Sequence, residues 1–494
     1  MINYCLHTIK NYLLLPCVLL FNFSFAQNYQ AINGSPYAGS LAVGNNPASI
    51  VHVPYAWDIT PFSIQLKQST NAFKIEKYAL LSSPGNAEIA SQNGIKKRFV
   101  FANQDIRLMN TRISLNAKAA IAFGANLRNY VYATTSEFNA QDTVFELEDF
   151  MKNNINHLPL SGEFSGSGWA ELYATYAQTI IDDGDRLLNG GITIKVNRAL
   201  VGGYAKAQGL NYIPGLTPTG PGYLLTNGSL QYGYSYNFDA IDSNKTAAAN
   251  RNAFFKQSFS SLSADIGFEY ILLTSEDKEE GGDYAYETKI GISLMDIGVN
   301  KYRHGSRSRL AIAGLAGISD TLMENKFSSV GTFDDFNDSL AGIVSSFSRT
   351  VGEFFIYQPC RVMINIDQHI ISNIFINGEI TIPVLPLVAK NSLHIRDMNL
   401  LAITPRWELK SMGIYLPVLL NTRNQLWVGG AFKAGPVLMG THNLANLFSK
   451  NKSQTGGLYL ALTIRPGKKY DRQEHYPKGK LQRKQGRGLE CPKF

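Results

Sequence analysis

Asp367 and His369 come nearest to chemistry in this chain. Two residues apart on an extended strand, they share one face, where a carboxylate could orient an imidazole for acid–base work. An enzyme would also need a nucleophile or an activated water, and no motif here supplies one. A polar wall needs charges for solvation alone, and that is the preferred reading of the pair. There is no nucleotide-binding loop, zinc-binding helix or serine-nucleophile elbow. Metal-type spacing is missing too. The expectation is a protein that is not an enzyme, with no catalytic residue, metal ligand or cofactor.

What would hold such a pair is a strand, and the sequence is rich in them. Residues 361–370 set Val362, Ile364, Ile366 and Ile370 against Arg361, Asn365, Asp367 and His369. In residues 283–295 Tyr284, Tyr286, Thr288, Ile290, Ile292 and Leu294 oppose Asp283, Ala285, Glu287, Lys289, Gly291 and Ser293. Such alternation gives a strand one greasy face and one charged face. The pattern recurs at 259–271, 373–382, 397–410 and 456–465. Weaker candidates lie at 55–67, 107–117, 119–131, 168–180, 188–197, 199–210, 228–238, 411–420 and 425–434, about 15 strands in all.

The greasy faces are almost free of charge, and aromatics such as Tyr270, Trp407, Trp427 and Tyr459 cluster near strand ends. Both features favour lipid outside and water inside over a soluble sandwich. The fold expected is all-β: a transmembrane antiparallel β-barrel of about 14–16 strands with short helical inserts in loops. Its charged faces name the lumen lining: Lys195, Asp265, Glu269, Glu287, Lys289, Arg361, Asp367, His369, Glu379, Arg406, Glu408, Lys410 and Lys433. The signs are mixed, which suits opposing ion pairs or a plug held by salt bridges better than an ion-selective open pore.

Two segments break the pattern. Residues 329–348 place Phe333, Phe336, Leu340, Ile343 and Phe347 at helical spacing behind a Thr332–Asp335 cap, and 142–158 does so more weakly. At the N-terminus, Lys10, an apolar run from Tyr12 to Phe25 and Ala26 read as an export signal cleaved before Gln27. The divisions expected are a signal at 1–26, a periplasmic or plug segment at 27–54, the barrel at 55–465 and a basic tail at 466–494. Of the net charge of +8, the tail carries nearly all, and the barrel is close to neutral. Cys360 and Cys491 remain after cleavage; their pairing is left open.

At 44–51 the chain reads G-N-N-P-A-S-I-V. Pro47 holds Asn46 extended and cannot donate to a ladder, which suits a plug better than a central strand. Asn46, Pro47 and Ala48 resemble the Asn-Pro-Ala segment near the start of long-chain fatty-acid transporter-type outer-membrane barrels. More of the chain, including R-F-V-F-A-N-Q-D-I at 98–106 and G-W-A-E-L-Y-A-T-Y-A-Q-T-I at 168–180, resembles a group of Bacteroidota outer-membrane barrels of unknown function. The stretch at 434–448 is also similar to membrane proteins of gliding and type IX secretion. These resemblances imply a Gram-negative outer-membrane location, with membrane lipid and the barrel-assembly machinery as partners. They imply transport of a small molecule, hydrophobic cargo included. The alternative is a non-transporting scaffold of surface, secretion or gliding machinery, whose tail would dock a periplasmic or secretion-system protein. No nucleic acid is expected.

Overall fold

The computed structural model describes residues 30–79, 87–141, 146–218, 220–273, 286–384, 392–449 and 454–466. Its strands close into one antiparallel barrel of 14 strands. In chain order they are β1 (Trp57–Thr70), β2 (Gly94–Asn116), β3 (Ala119–Ala140), β4 (Leu160–Asp182) and β5 (Arg186–Thr217). β6 comes in two pieces, Gly220–Tyr234 and Ser260–Leu272. β7 runs through Thr288–Arg303 and Arg309–Ile312, and β8 through Ser346–Arg349, Glu353–Tyr357 and Arg361–Ile371. β9 (Ile374–Pro383) and β10 (Leu400–Glu408) follow, then β11 in the pieces Met412–Tyr415 and Val418–Asn421. β12 (Leu426–Val428 and Gly430–Ala434), β13 (Val437–Thr441) and β14 (Thr455–Ile464) complete the wall. Closure is the pairing of β1 with β14, from Ile59 opposite Ile464 to Ser69 opposite Thr455.

The count differs from the sequence expectation in three places. Residues 188–197 and 199–210 form one strand, the 32-residue β5. Residues 228–238 and 259–271 fall on the two halves of one interrupted strand, β6, because both halves pair with β5. The short β13 has too few residues to show alternation.

Burial is inverted relative to a soluble protein. Ile192, Ile194, Val196, Leu262, Ile266, Ile290, Ile292, Ile366 and Leu401 are exposed, while Asp265, Lys289, Arg361, Asp367 and Arg406 are almost fully buried. An apolar belt outside and a polar interior are what lipid requires of a closed sheet. No helix among the described residues is long and apolar enough to cross a membrane.

Both ends of the wall sequence, Trp57 and Ile464, lie at one rim, where the connections 117–118, 183–185, 372–373, 409–411 and 435–436 are short and only that from β6 to β7, residues 273–287, is longer. The opposite rim carries most of the longer excursions, beside the short connections 218–219 and 422–425. β2 to β6 tower on that side; 32 residues at about 3.3 Å each make β5 on the order of 100 Å of chain. Helices α1 (Leu147–Asn154), α3 (Asp320–Phe327) and α4 (Phe333–Ala341) pack against this extension, and α2 (Ala247–Lys256) interrupts β6. α4 carries the reciprocal Thr332–Asp335 cap. It stops at Ala341, so Phe347, read as its last apolar position, is instead on β8, where it joins the same apolar cluster.

Candidate functional site: a stoppered, charge-braced lumen

Residues 30–56 enter the barrel from the short-turn rim and pack against its inner wall as three 3-10 turns, Gln30–Ile32, Gly39–Gly44 and Pro47–Ile50. From Gln27 to Trp57 there is no Asp, Glu, Lys or Arg. The charged wall therefore meets the segment through its peptide groups and small polar side chains. Arg107 donates to the Leu41 carbonyl at 2.9 Å, Arg112 to those of Ile50 and Tyr55 at 2.7 and 2.5 Å, and Lys289 to that of Gly34 at 3.2 Å. Carboxylates take the donors: Glu379 from Asn33 at 2.5 Å, Glu408 from Ser35 at 2.7 Å and Glu269 from Ser49 at 2.7 Å. Of the two arrangements the mixed signs suited, opposing ion pairs or a salt-bridged plug, the second is corrected: the plug is held instead by charge-assisted hydrogen bonds.

Asn46 is extended (φ −154°, ψ 115°), and its side chain accepts from the Ala48 amide while donating to the Phe268 carbonyl. The first bond caps the turn that Pro47 opens. The seat is a notch in the wall: a Cβ on Gly191 would lie 2.6 Å from the Ala48 amide nitrogen, and one on Gly267 would lie 2.1 Å from Asn46 Oδ1.

Above the plug the wall charges pair with one another around Asp296. Its carboxylate receives Arg128 at 2.5 and 3.0 Å, Lys195 at 2.7 Å, and Arg361. Lys195 also pairs with Asp265 at 2.8 Å, and Arg128 with Asp105 at 2.9 Å. Residues of this hub, with Val43 and Gly44 of the plug, line a cavity of about 30 Å³, which also meets Asn110 and Tyr173. That volume admits water and excludes an organic solute. Asn110 Oδ1 and the Tyr173 hydroxyl are buried without a protein hydrogen-bond partner, and both face this space.

The sequence reading missed Asp296. Alternation puts it in phase with Ile290, Ile292 and Leu294 on the lipid face. A bulge between Leu294 and Ile297, with Asp296 at φ 58°, shifts the phase and turns the carboxylate inward. The legible signal was the contradiction itself, an acid on a greasy face. Asp105, Arg107, Arg112, Arg128, Glu171 and Asp397 were also missed, lying on strands of weak alternation or in a loop.

A second cluster gathers several of the named residues. Arg406 forks onto Asp367, reaches Glu408 at 3.1 Å, and shares Asp367 with the Tyr286 hydroxyl. Lys433 and the Tyr415 hydroxyl meet the other Glu408 oxygen at 2.9 and 2.6 Å. Asp367 is thereby committed to Arg406, while His369 turns its Nε2 to the Ser372 carbonyl at 2.8 Å. The two do not form an acid–base pair. Two of the lining residues are corrected: Glu287 is exposed just before β7, and Lys410 sits in the turn after β10. Tyr286, read as lipid-facing, is buried inside against Phe375, because the ladder begins only at Thr288. Tyr284, Asp283 and Ala285 lie outside the described residues, as do Cys491 and the tail from 467.

At the opposite rim residues 392–399 fold inward against the wall. The Tyr357 amide donates to the Leu393 carbonyl and the Ile395 amide to the Tyr357 carbonyl, extending β8 by a parallel bridge. Ile395 packs among Tyr130, Trp169, Tyr204, Tyr302 and Phe354; Met398 packs among Phe99, Phe101, Tyr132 and Trp427. Asp397 pairs with Lys67 and approaches Arg361 at 3.8 Å. Arg361 also reaches the Gly44 carbonyl at 3.4 Å. One guanidinium thus touches plug, hub and inserted loop.

Residues 47–442 match a family of unknown function, DUF5723. No curated protein matches the chain. Among solved structures, a Pseudomonas aeruginosa FadL homologue is 9% identical with a TM-score of 0.38, over 91% of this chain and 98% of that one. The P. putida toluene transporter TodX is 9% identical with a TM-score of 0.38, over 86% and 93%. Likenesses at this level carry no functional argument.

Proposed function

The chain belongs to the DUF5723 family, and from its own lumen we propose that it is a gated transport barrel of the Gram-negative outer membrane for a small molecule. The carrying observation is the uncharged stopper in a charged lumen. Withdrawing residues 30–56 strands no buried charge on the stopper, while the wall groups it frees can be hydrated at once. A structural brace would gain from ion pairs; a removable one is better without them. Mostly short turns at the stopper's rim and mostly longer excursions at the other support a stopper on the periplasmic side.

Cargo crossing this barrel meets aromatic side chains at the outer level and charged ones at the middle level. That sequence of surfaces supports a small amphiphile, with an apolar body and a polar group, over a bare hydrocarbon. The test is a tether. Ser40 Oγ and Thr60 Oγ1 are 3.0 Å apart, so Ser40→Cys with Thr60→Cys offers a disulfide between stopper and β1. Oxidation is expected to abolish small-molecule permeation in cells and in proteoliposomes, and reduction to restore it. Equal permeation in both states would reject gating by this segment.

The tall wall of β2 to β6 favours a second reading, a surface scaffold that transports nothing. That reading expects a stable complex with a surface or secretion protein, lost on deleting 466–494, and no permeation in either redox state.

A further inference from the structure

β6 breaks at Tyr234 and resumes at Ser260, and the intervening 25 residues leave the wall sideways. They contain α2, which is exposed along its length. Its height can be read from the neighbouring β5. Arg186 and Arg198 bracket Ile192, Ile194 and Val196; at about 3.3 Å per residue and a tilt of about 40°, they stand roughly 30 Å apart along the membrane normal. Arg198 therefore marks the upper edge of the apolar belt. It donates to Ser258 at 2.6 Å, to Ser260 at 3.0 Å and to the Phe255 carbonyl, so it pins the end of the excursion to that edge. On the other flank Lys301 lies over the Phe259 ring at 5.0 Å.

The excursion is thus held at the water–lipid boundary, and its surface has the matching composition. Phe254 turns inward onto Phe238, while Phe255 and Ile241 are exposed. Arg251, one turn before Phe255, and Lys256, beside it, are exposed, as is Arg303 next to Lys301. These three cations have no acidic partner among the described residues. The nearby acids are taken: Asp242 by Lys245 at 3.4 Å and Glu353 by Lys301 at 2.8 Å. An exposed apolar surface continuous with the belt, edged by unpaired cations at headgroup depth, fits an anionic amphiphile already in the membrane.

We propose that α2 and Arg303 bind the phosphates of an acylated, phosphorylated glycolipid of the outer leaflet, with Phe255 and Ile241 against its acyl chains. This rests on the outer-membrane reading with the stopper in the periplasm. The probe is a bis-phosphorylated, acylated glucosamine disaccharide, added to the purified full-length protein in detergent and read by native mass spectrometry. The wild type is expected to retain one or more copies. The Arg251→Glu, Lys256→Glu, Arg303→Glu protein is expected to lose binding at least 5-fold, while Lys152→Glu on α1 retains it. Equal retention by the triple variant overturns the proposal. So does full competition by inorganic phosphate, or equal retention of a zwitterionic phospholipid. Should charge reversal prevent folding, the three Gln substitutions replace it, with a smaller expected loss and the same overturning result. Heat-modifiable mobility and permeation are measured on the same preparations, so a failed glycolipid site and a failed transport reading give different results.

Discussion

Gly191 on β5 and Gly267 on β6 sit directly opposite each other, and together they make the notch that holds Asn46 and Pro47. A side chain at Gly267 meets the movable end of Asn46, whereas one at Gly191 meets backbone. Gly191→Leu is therefore expected to unseat the stopper and leave the wall intact. Bilayer conductance or sensitivity to a normally excluded antibiotic should rise, with heat-modifiable mobility unchanged. Unaltered permeability would show that the notch does not hold the stopper.

Asp296 neutralises three buried cations, and nothing near it can take them all. Breaking a buried ion pair costs about 3–5 kcal/mol where the partner is left unpaired; here Asp105, Asp265 and Asp397 stay within reach of Arg128, Lys195 and Arg361, which sets that range as the upper bound. Asp296→Asn should lower the unfolding free energy by up to about that amount, and Asp105→Asn, with Arg128 retaining Asp296, by clearly less. Equal effects would mean that the hub is not centred on Asp296.

Ile192 lies midway between Arg186 and Arg198 on the lipid face. Arg there should cost about 2–4 kcal/mol and impair assembly. The neighbouring Thr193 faces inward, bonded to Thr175 at 2.8 Å, and Thr193→Ser should assemble normally. A well-assembled Ile192→Arg barrel would place the belt elsewhere.

His394 in the inserted loop gives a pH dependence. Burial lowers its pKa below the ordinary value, outweighing the Ser392 carbonyl that raises it; Arg396 lowers it too. Arg396 donates to Nε2 at 2.7 Å, so the ring accepts there and donates Nδ1–H to Ser392, and protonation would set a second cation against the guanidinium. A depressed folded-state pKa means that the loop's stability is full above the unfolded value near 6.5 and falls as pH drops through the folded one. The protection factor against hydrogen exchange in 392–399, taken relative to the intrinsic amide rate at each pH, should fall from pH 7.5 to pH 5, and His394→Gln should remove that step. A pH-independent protection factor in the wild type would refute it.

The wall was legible because lipid enforces alternation: Ile290 and Ile292 point out, and Lys289 and Ser293 in, as the ladder demands. What hid was whatever depends on phase or contact. Asp296 required a bulge that one strand does not announce. Tyr286 was misread because alternation in the text ran past the start of its ladder. The Asp367–His369 pair looked chemical because sequence shows spacing and not the Arg406 that claims the carboxylate from another strand. The extension of β2 to β6 was hidden too, since above the membrane a strand no longer needs a greasy outer face.

The stopper runs without a break into Trp57 at the start of β1. A tethered piece of this kind returns to its seat by a first-order step, at an effective concentration that can reach the order of millimolar for a short flexible tether. If the stopper gates as proposed, its reseating is an intramolecular step whose rate does not depend on how many copies the membrane holds.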